Sequence, residues 1–141
     1  MQRKAAKAGR RSLCPLNASV EMLGDRWSLL ILRDMMLRGS RTYKEFLEAS
    51  VEGIATNILA DRLRRLERNG IIRAKPDERD GRKITYTLTQ KGIDLAPVLT
   101  EMVLWAAKHE HVGNRPLIRQ MRNDKEDFIA AVVQRLRAGK K

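Results

Sequence analysis

Residues 56 to 89 read TNILADRLRRLERNGIIRAKPDERDGRKITYTLT. Midway along this stretch the hydrophobic period changes from 3.6 to 2, and that change decides the fold. In the first half Leu59, Leu63 and Leu66 stand at i, i+4 and i+7, the spacing of a buried helical stripe, and Asn69-Gly70 supplies a left-handed C-terminal stop. At roughly 100° per residue, Asn57, Asp61, Arg64 and Arg68 point directly away from that stripe, with Arg65 beside them and Arg62 on the flank. In the second half Ile72 and Ala74 alternate on one run and Ile84, Tyr86 and Leu88 on the other, which predicts a hairpin. A two-residue Asp80-Gly81 turn would put the two apolar sets on opposite faces of the ribbon. A three-residue loop, Arg79-Asp80-Gly81 with Gly81 left-handed, instead pairs Ile72 with Leu88 and Ala74 with Tyr86. The loop leaves Arg79, Arg82 and Lys83 at an exposed tip.

Upstream, NASVEMLGDRW ends a short helix at Gly24, and Asp25 offers the N-cap of a second helix. That helix, RWSLLILRDMMLRG, is apolar on most faces and too short to span a bilayer, so it is the expected core helix, stopped by Gly39. TYKEF opens a short third helix with a capping box between Thr42 and Glu45, ending before Gly53. Downstream, Thr89 caps a long helix to about His109, with a kink or restart at Pro97. A last helix runs from about Asp124 to Arg137. No internal repeat or low-complexity segment is evident.

The chain has 141 residues, 43% hydrophobic and 33% charged, which fits one globular domain. A net charge of +12 and a pI near 10.6 call for a polyanionic partner, nucleic acid or an anionic surface. Residues 1 to 12, with Arg3, Lys4, Lys7, Arg10 and Arg11 and no acidic residue, read as a flexible basic arm. Neither a signal-peptide apolar run nor a membrane span is present, so a soluble cytoplasmic protein is expected. The single cysteine, Cys14, cannot form an internal disulfide, which fits a reducing compartment. His109 and His111 lie two apart after a helix end and do not make a credible metal site, so no metal or cofactor is expected. No phosphate loop or nucleophile-base pair marks an enzyme.

The order helix, helix, helix, basic helix, basic-tipped hairpin, helix, helix is the layout of a winged helix-turn-helix: mainly α with a small β-hairpin wing. On that layout Thr56, Asn57, Asp61, Arg62, Arg64 and Arg65 form the face toward double-stranded DNA. Asn57 and Arg64 suit base edges, while Arg65 and Arg68 suit phosphate. Thr42 and Lys44 are phosphate candidates at the third helix's N-terminus, where Thr42 also serves as cap. Arg79, Arg82 and Lys83 would track the backbone. A solvated face is the bland alternative, but four clustered arginines without a partner are mildly unfavourable.

CPLNASVEMLGDRWSLLILRDMMLRGSRTYKEF, then GIATNILADRLRRLERNGII and YTLTQKG, resembles the HxlR-type winged-helix regulators over roughly residues 14 to 110. The Cys-Pro start, the Gly-Asp-Arg-Trp step and the Leu-Thr-x-x-Gly after the wing carry the match together. The resemblance implies a homodimeric bacterial transcriptional regulator on a pseudo-palindromic operator, its terminal helices, residues 111 to 141 included, forming the dimerisation region. It also implies that Cys14 is a candidate oxidant sensor; a packed, unreactive thiol is the alternative. Such proteins usually carry Ser where Ala55 stands, so either Thr56 caps one residue later or the cap is weaker. The wing PDERDGRKITY is closer to the MarR type. Rival readings are a MarR-type regulator with a small-molecule effector, a winged-helix protein-interaction module, and membrane-surface association through the last helix.

Overall fold

The computed structural model describes residues 9 to 139, so most of the basic arm lies outside the described residues. Helices α1 (Pro15–Leu23), α2 (Arg26–Leu37), α3 (Tyr43–Ala49) and α4 (Thr56–Arg68) lead into strands β1 (Ile72–Pro76) and β2 (Ile84–Leu88). Helices α5 (Gln90–Ile93), α6 (Ala96–His109), α7 (Arg115–Asn123) and α8 (Lys125–Arg137) follow. The architecture is a winged helix-turn-helix with two C-terminal helices folded back on it.

The helices begin and stop where the local chemistry dictates. Asp25 accepts from the Ser28 N–H and caps α2. Thr42 and Glu45 exchange both hydrogen bonds of a capping box at α3. At the end of α4, Gly70 takes φ +72°, its N–H reaches the Glu67 carbonyl and the Ile71 N–H reaches that of Leu66. This is a Schellman stop, and it turns the chain directly into β1. Leu59, Leu63 and Leu66 are fully buried with Ile31, Leu32 and Phe46, and each such side chain contributes about 1.5 to 3 kcal/mol by leaving water.

Strands β1 and β2 pair antiparallel with Ile72 opposite Leu88 and Ala74 opposite Tyr86, the register that places both apolar sets on one face. The loop differs from expectation. Gly81 is not left-handed among the described positive-φ residues. Asp77 instead accepts from the N–H groups of Arg79 and Asp80 at 2.8 and 3.0 Å, and Lys83 N–H donates to the Asp80 carbonyl, so the turn closes without a positive φ there. The wing base is fastened to the helices: Tyr86 N–H donates to the Arg41 carbonyl, and the Tyr86 ring meets Phe46 edge-on at 6.2 Å.

Pro97 produces a restart rather than a kink, separating α5 from α6. Gly92 has a local reason: a Cβ there would lie 2.3 Å from the Ile71 carbonyl oxygen, where the chain crosses the end of α4. Helix α7 is not among the helices expected from the sequence. Asn114 caps it in a left-handed conformation and Pro116 sits in its first turn. Helix α8 lays Phe128, Ile129, Val132, Val133 and Leu136 against Met36, Leu37, Ala96 and Leu99 of the same chain. Its apolar face is therefore occupied, which removes the basis for membrane association through this helix.

Candidate nucleic-acid interface

Helix α4 rests its leucine stripe on α2 and α3, so its other face points outward. Thr56, Asn57, Arg64 and Arg68 are exposed, and Asn57, Arg64 and Arg68 make no hydrogen bond or ion pair among the described residues. Arg62 does not join this row. Its Nε donates to Asp25 Oδ1 at 3.0 Å, another of its nitrogens pairs with Asp61, and its side chain is only 19% exposed. Arg65 is intermediate, its Nη1 lying 4.0 Å from Asp25 Oδ2. The helical wheel assigned Arg62 to the flank of the interface and Arg65 to the outer row, but it contains no information about a carboxylate 37 residues upstream.

Asp25 responds to these neighbours. Burial alone would raise its pKa, but the hydrogen bonds from Ser28 and Arg62 outweigh that and leave it below the ordinary carboxylate value. The Arg62 guanidinium is correspondingly raised, chiefly by its bond to Asp25. On the far side of α2, Arg33 makes a bidentate pair with Glu52 at 2.6 and 2.9 Å and also reaches buried Asp34, which Arg38 contacts at 2.9 Å. Arg33 thereby holds Glu52 below its usual pKa and ties the loop before α4 to α2.

Helix α4 has a weak cap. Ala55 occupies the N-cap position with no side-chain bond, and Thr56 is already helical. The Tyr43 hydroxyl donates to the Thr56 carbonyl at 2.8 Å, anchoring this helix start from α3. At α3, Thr42 is engaged in its capping box and Lys44 is exposed, 3.9 Å from Glu48. At the wing tip Arg79, Arg82 and Lys83 are all exposed, with Arg82 Nε 3.2 Å from Asp80.

Three further features are available to solvent. Cys14 is exposed at the N-cap of α1, so the thiol is not packed within its own chain. Leu13, Leu16 and Val20 on and before α1, and Val98, Met102 and Trp105 at i, i+4 and i+7 on α6, account for six of the seven exposed large apolar side chains among the described residues. None lies in 111 to 139. Between α2, α6, α7 and α8 is an apolar cavity of about 150 Å³ bordered by Met36, Leu99, Met102, Met121 and Phe128.

The HxlR-like helix-turn-helix family matches residues 22 to 114, a span that runs from the end of α1 through the α4 face, the wing and α6. The chain belongs to this family. The HTH-type transcriptional regulator YodB of Bacillus subtilis is 35% identical over 96 residues, 67% of this chain and 84% of that protein. The reduced form of YodB superposes with a TM-score of 0.58 at 35% identity, covering 72% of this chain and 99% of that one. The redox regulator HypR in its oxidised form gives 0.61 at 26% identity, covering 70% and 100%. This HxlR-type chain is accordingly a transcriptional regulator and not an enzyme, and α7 and α8 lie beyond the matched stretch.

Proposed function

We propose that this HxlR-type regulator binds double-stranded DNA sequence-specifically as a homodimer, with α4 in the major groove and the wing on the backbone. The observation that carries the reading is the exposed row Asn57, Arg64 and Arg68 on α4, without partners among the described residues and flanked by the basic wing tip. Asn57 and Arg64 take base edges; Arg65, Arg68, Lys44, Arg79, Arg82 and Lys83 take phosphates. The apolar stripes on α1 and α6 form the dimer surface. Two α4 helices related by a two-fold axis fit half-sites about one helical turn, roughly 34 Å, apart.

The test is selection of duplexes from a random library, followed by anisotropy titration of the selected and a random duplex across salt concentrations. Enrichment of a pseudo-palindrome with a clear affinity ratio is expected; equal affinity for both duplexes sinks the proposal.

A second reading, thiol-based control, is supported by the exposure of Cys14 at the head of an apolar-faced helix and by the similarity to a named redox regulator. With one cysteine per chain, two Cys14 thiols from two subunits would give up two electrons and two protons to an oxidant and form an intersubunit disulfide. Oxidant should shift operator affinity in the wild type and leave Cys14→Ser unmoved. An equal shift in both proteins excludes Cys14.

A further inference from the structure

One carboxylate serves two helices. Asp25 Oδ1 accepts from the Ser28 N–H at 2.9 Å and its Oδ2 from the Ser28 hydroxyl at 2.7 Å, which caps α2. The same Oδ1 accepts from Arg62 Nε at 3.0 Å, and Oδ2 lies 4.0 Å from Arg65. Asp61, on α4 itself, takes a second nitrogen of Arg62, so two carboxylates surround one guanidinium. Arg64 and Arg68, two and six positions further along the same helix, are exposed and unpaired among the described residues.

Four arginines on one helix raise a difficulty for any DNA reader. A guanidinium on a long flexible stem can reach whichever phosphate is near, and that contact adds affinity without sequence information. Bonding an arginine to a fixed carboxylate removes it from this pool. Because Asp25 is itself held by the first turn of α2, the bridge also fixes how α4 is rotated against its supporting helix, and hence which side chains face outward.

We propose that Asp25 is a positioning and specificity-determining residue: it withdraws Arg62 from the phosphate backbone and pins α4 to the N-terminus of α2, leaving Arg64 and Arg68 to the duplex. This rests on the reading of α4 as the DNA-facing helix. It assigns unequal tasks to arginines that the sequence presents as equivalent.

The test begins with Asp25→Asn, which keeps a side-chain acceptor for the α2 cap, since Asn ranks with Asp at that position. Without the carboxylate charge the remaining neutral acceptor holds Arg62 less tightly, which should raise affinity for a random duplex, lower the ratio of selected to random affinity, and steepen the slope of log affinity against log salt by up to about 0.9, one added phosphate contact. Glu67→Gln, an equal change of charge at an exposed position of α4, should leave the slope alone. Arg62→Gln should also leave the wild-type slope alone, and in its presence Asp25→Asn should lose its effect. The proposal is overturned if Arg62→Gln flattens the slope by one contact, or if Asp25→Asn and Glu67→Gln behave alike; the Arg62→Gln arm decides even if Asp25→Asn does not fold. Should the wild type bind no duplex at all, the DNA reading fails by itself. The bridge is then read from Arg62 Nε–H exchange by NMR, where protection lost in Asp25→Asn supports it and equal exchange in both proteins refutes it.

Discussion

Arg64 and Lys83 are both exposed cations, and the proposed interface gives them different tasks. Arg64 projects from the middle of a rigid helix whose leucine face is buried, so its fork can be presented to a guanine edge in one orientation. Arg64→Ala should cost about 1 to 3 kcal/mol on the selected duplex and relax its sequence preference, whereas Lys83→Ala should weaken all duplexes evenly and flatten the salt dependence. Equal losses for Arg64→Ala on selected and random duplexes would remove its base-reading role. Charge also links the loop before α4 to acid stability. Arg33 lowers the pKa of Glu52, and a group lowered on folding stabilises above its unfolded value, so its contribution is complete above about pH 4.5 and lost as pH falls through the folded value. Asp25 adds a contribution of the same sign at lower pH. Denaturant titrations from neutral pH to pH 3 should therefore show Glu52→Gln losing less stability on acidification than the wild type; parallel curves would show that the pair contributes nothing.

At the scale of elements, α4 and the wing are joined by a tight crossing rather than by a linker. Gly70 turns the chain, and Gly92 passes the Ile71 carbonyl so closely that no side chain fits. Gly92→Ala should cost about 1 to 3 kcal/mol or more because the contact is with backbone, which cannot rotate aside, and thermal unfolding would show an unchanged Tm if the crossing were loose. The same elements show where sequence reading succeeds and where it stops. The register of β1 and β2 was legible because burying both apolar sets on one face leaves one pairing. The conformation of Gly81 was not, because Asp77 closes the loop through side-chain hydrogen bonds that compete with the glycine solution. Helix α7 has its own local signals in Asn114, Pro116 and the spacing of Leu117, Ile118 and Met121, but it is short and its apolar face is narrow. The weak cap at Ala55 was legible, but the hydrogen bond from the Tyr43 hydroxyl to the Thr56 carbonyl, which ties α3 to the start of α4, was not.

For the whole molecule, the C-terminal hairpin closes on its own chain. Arg135 donates to the Met36 carbonyl, Arg41 to that of Gly139, and the apolar face of α8 fills the space beside α2 and α6. Residues 111 to 139 thus expose no large apolar side chain, and the proposed dimer surface is placed on the apolar stripes of α1 and α6. Met102 and Trp105 are 49% and 66% exposed, so Met102→Glu or Trp105→Glu should leave the fold within about 0.5 kcal/mol and shift sedimentation toward monomer. Unchanged assembly in both variants would exclude the α6 stripe. Local periodicity, caps and turn chemistry by themselves determined the winged helix-turn-helix order, the buried leucine face of α4 and the wing register, because each depends on residues within a few positions of one another. Tertiary structure alone decided which arginines are free, where Cys14 lies and which helix faces are covered. Those outcomes depend on contacts between residues far apart in the chain, such as Asp25 with Arg62 and Met36 with Val132, whose meeting no local pattern encodes.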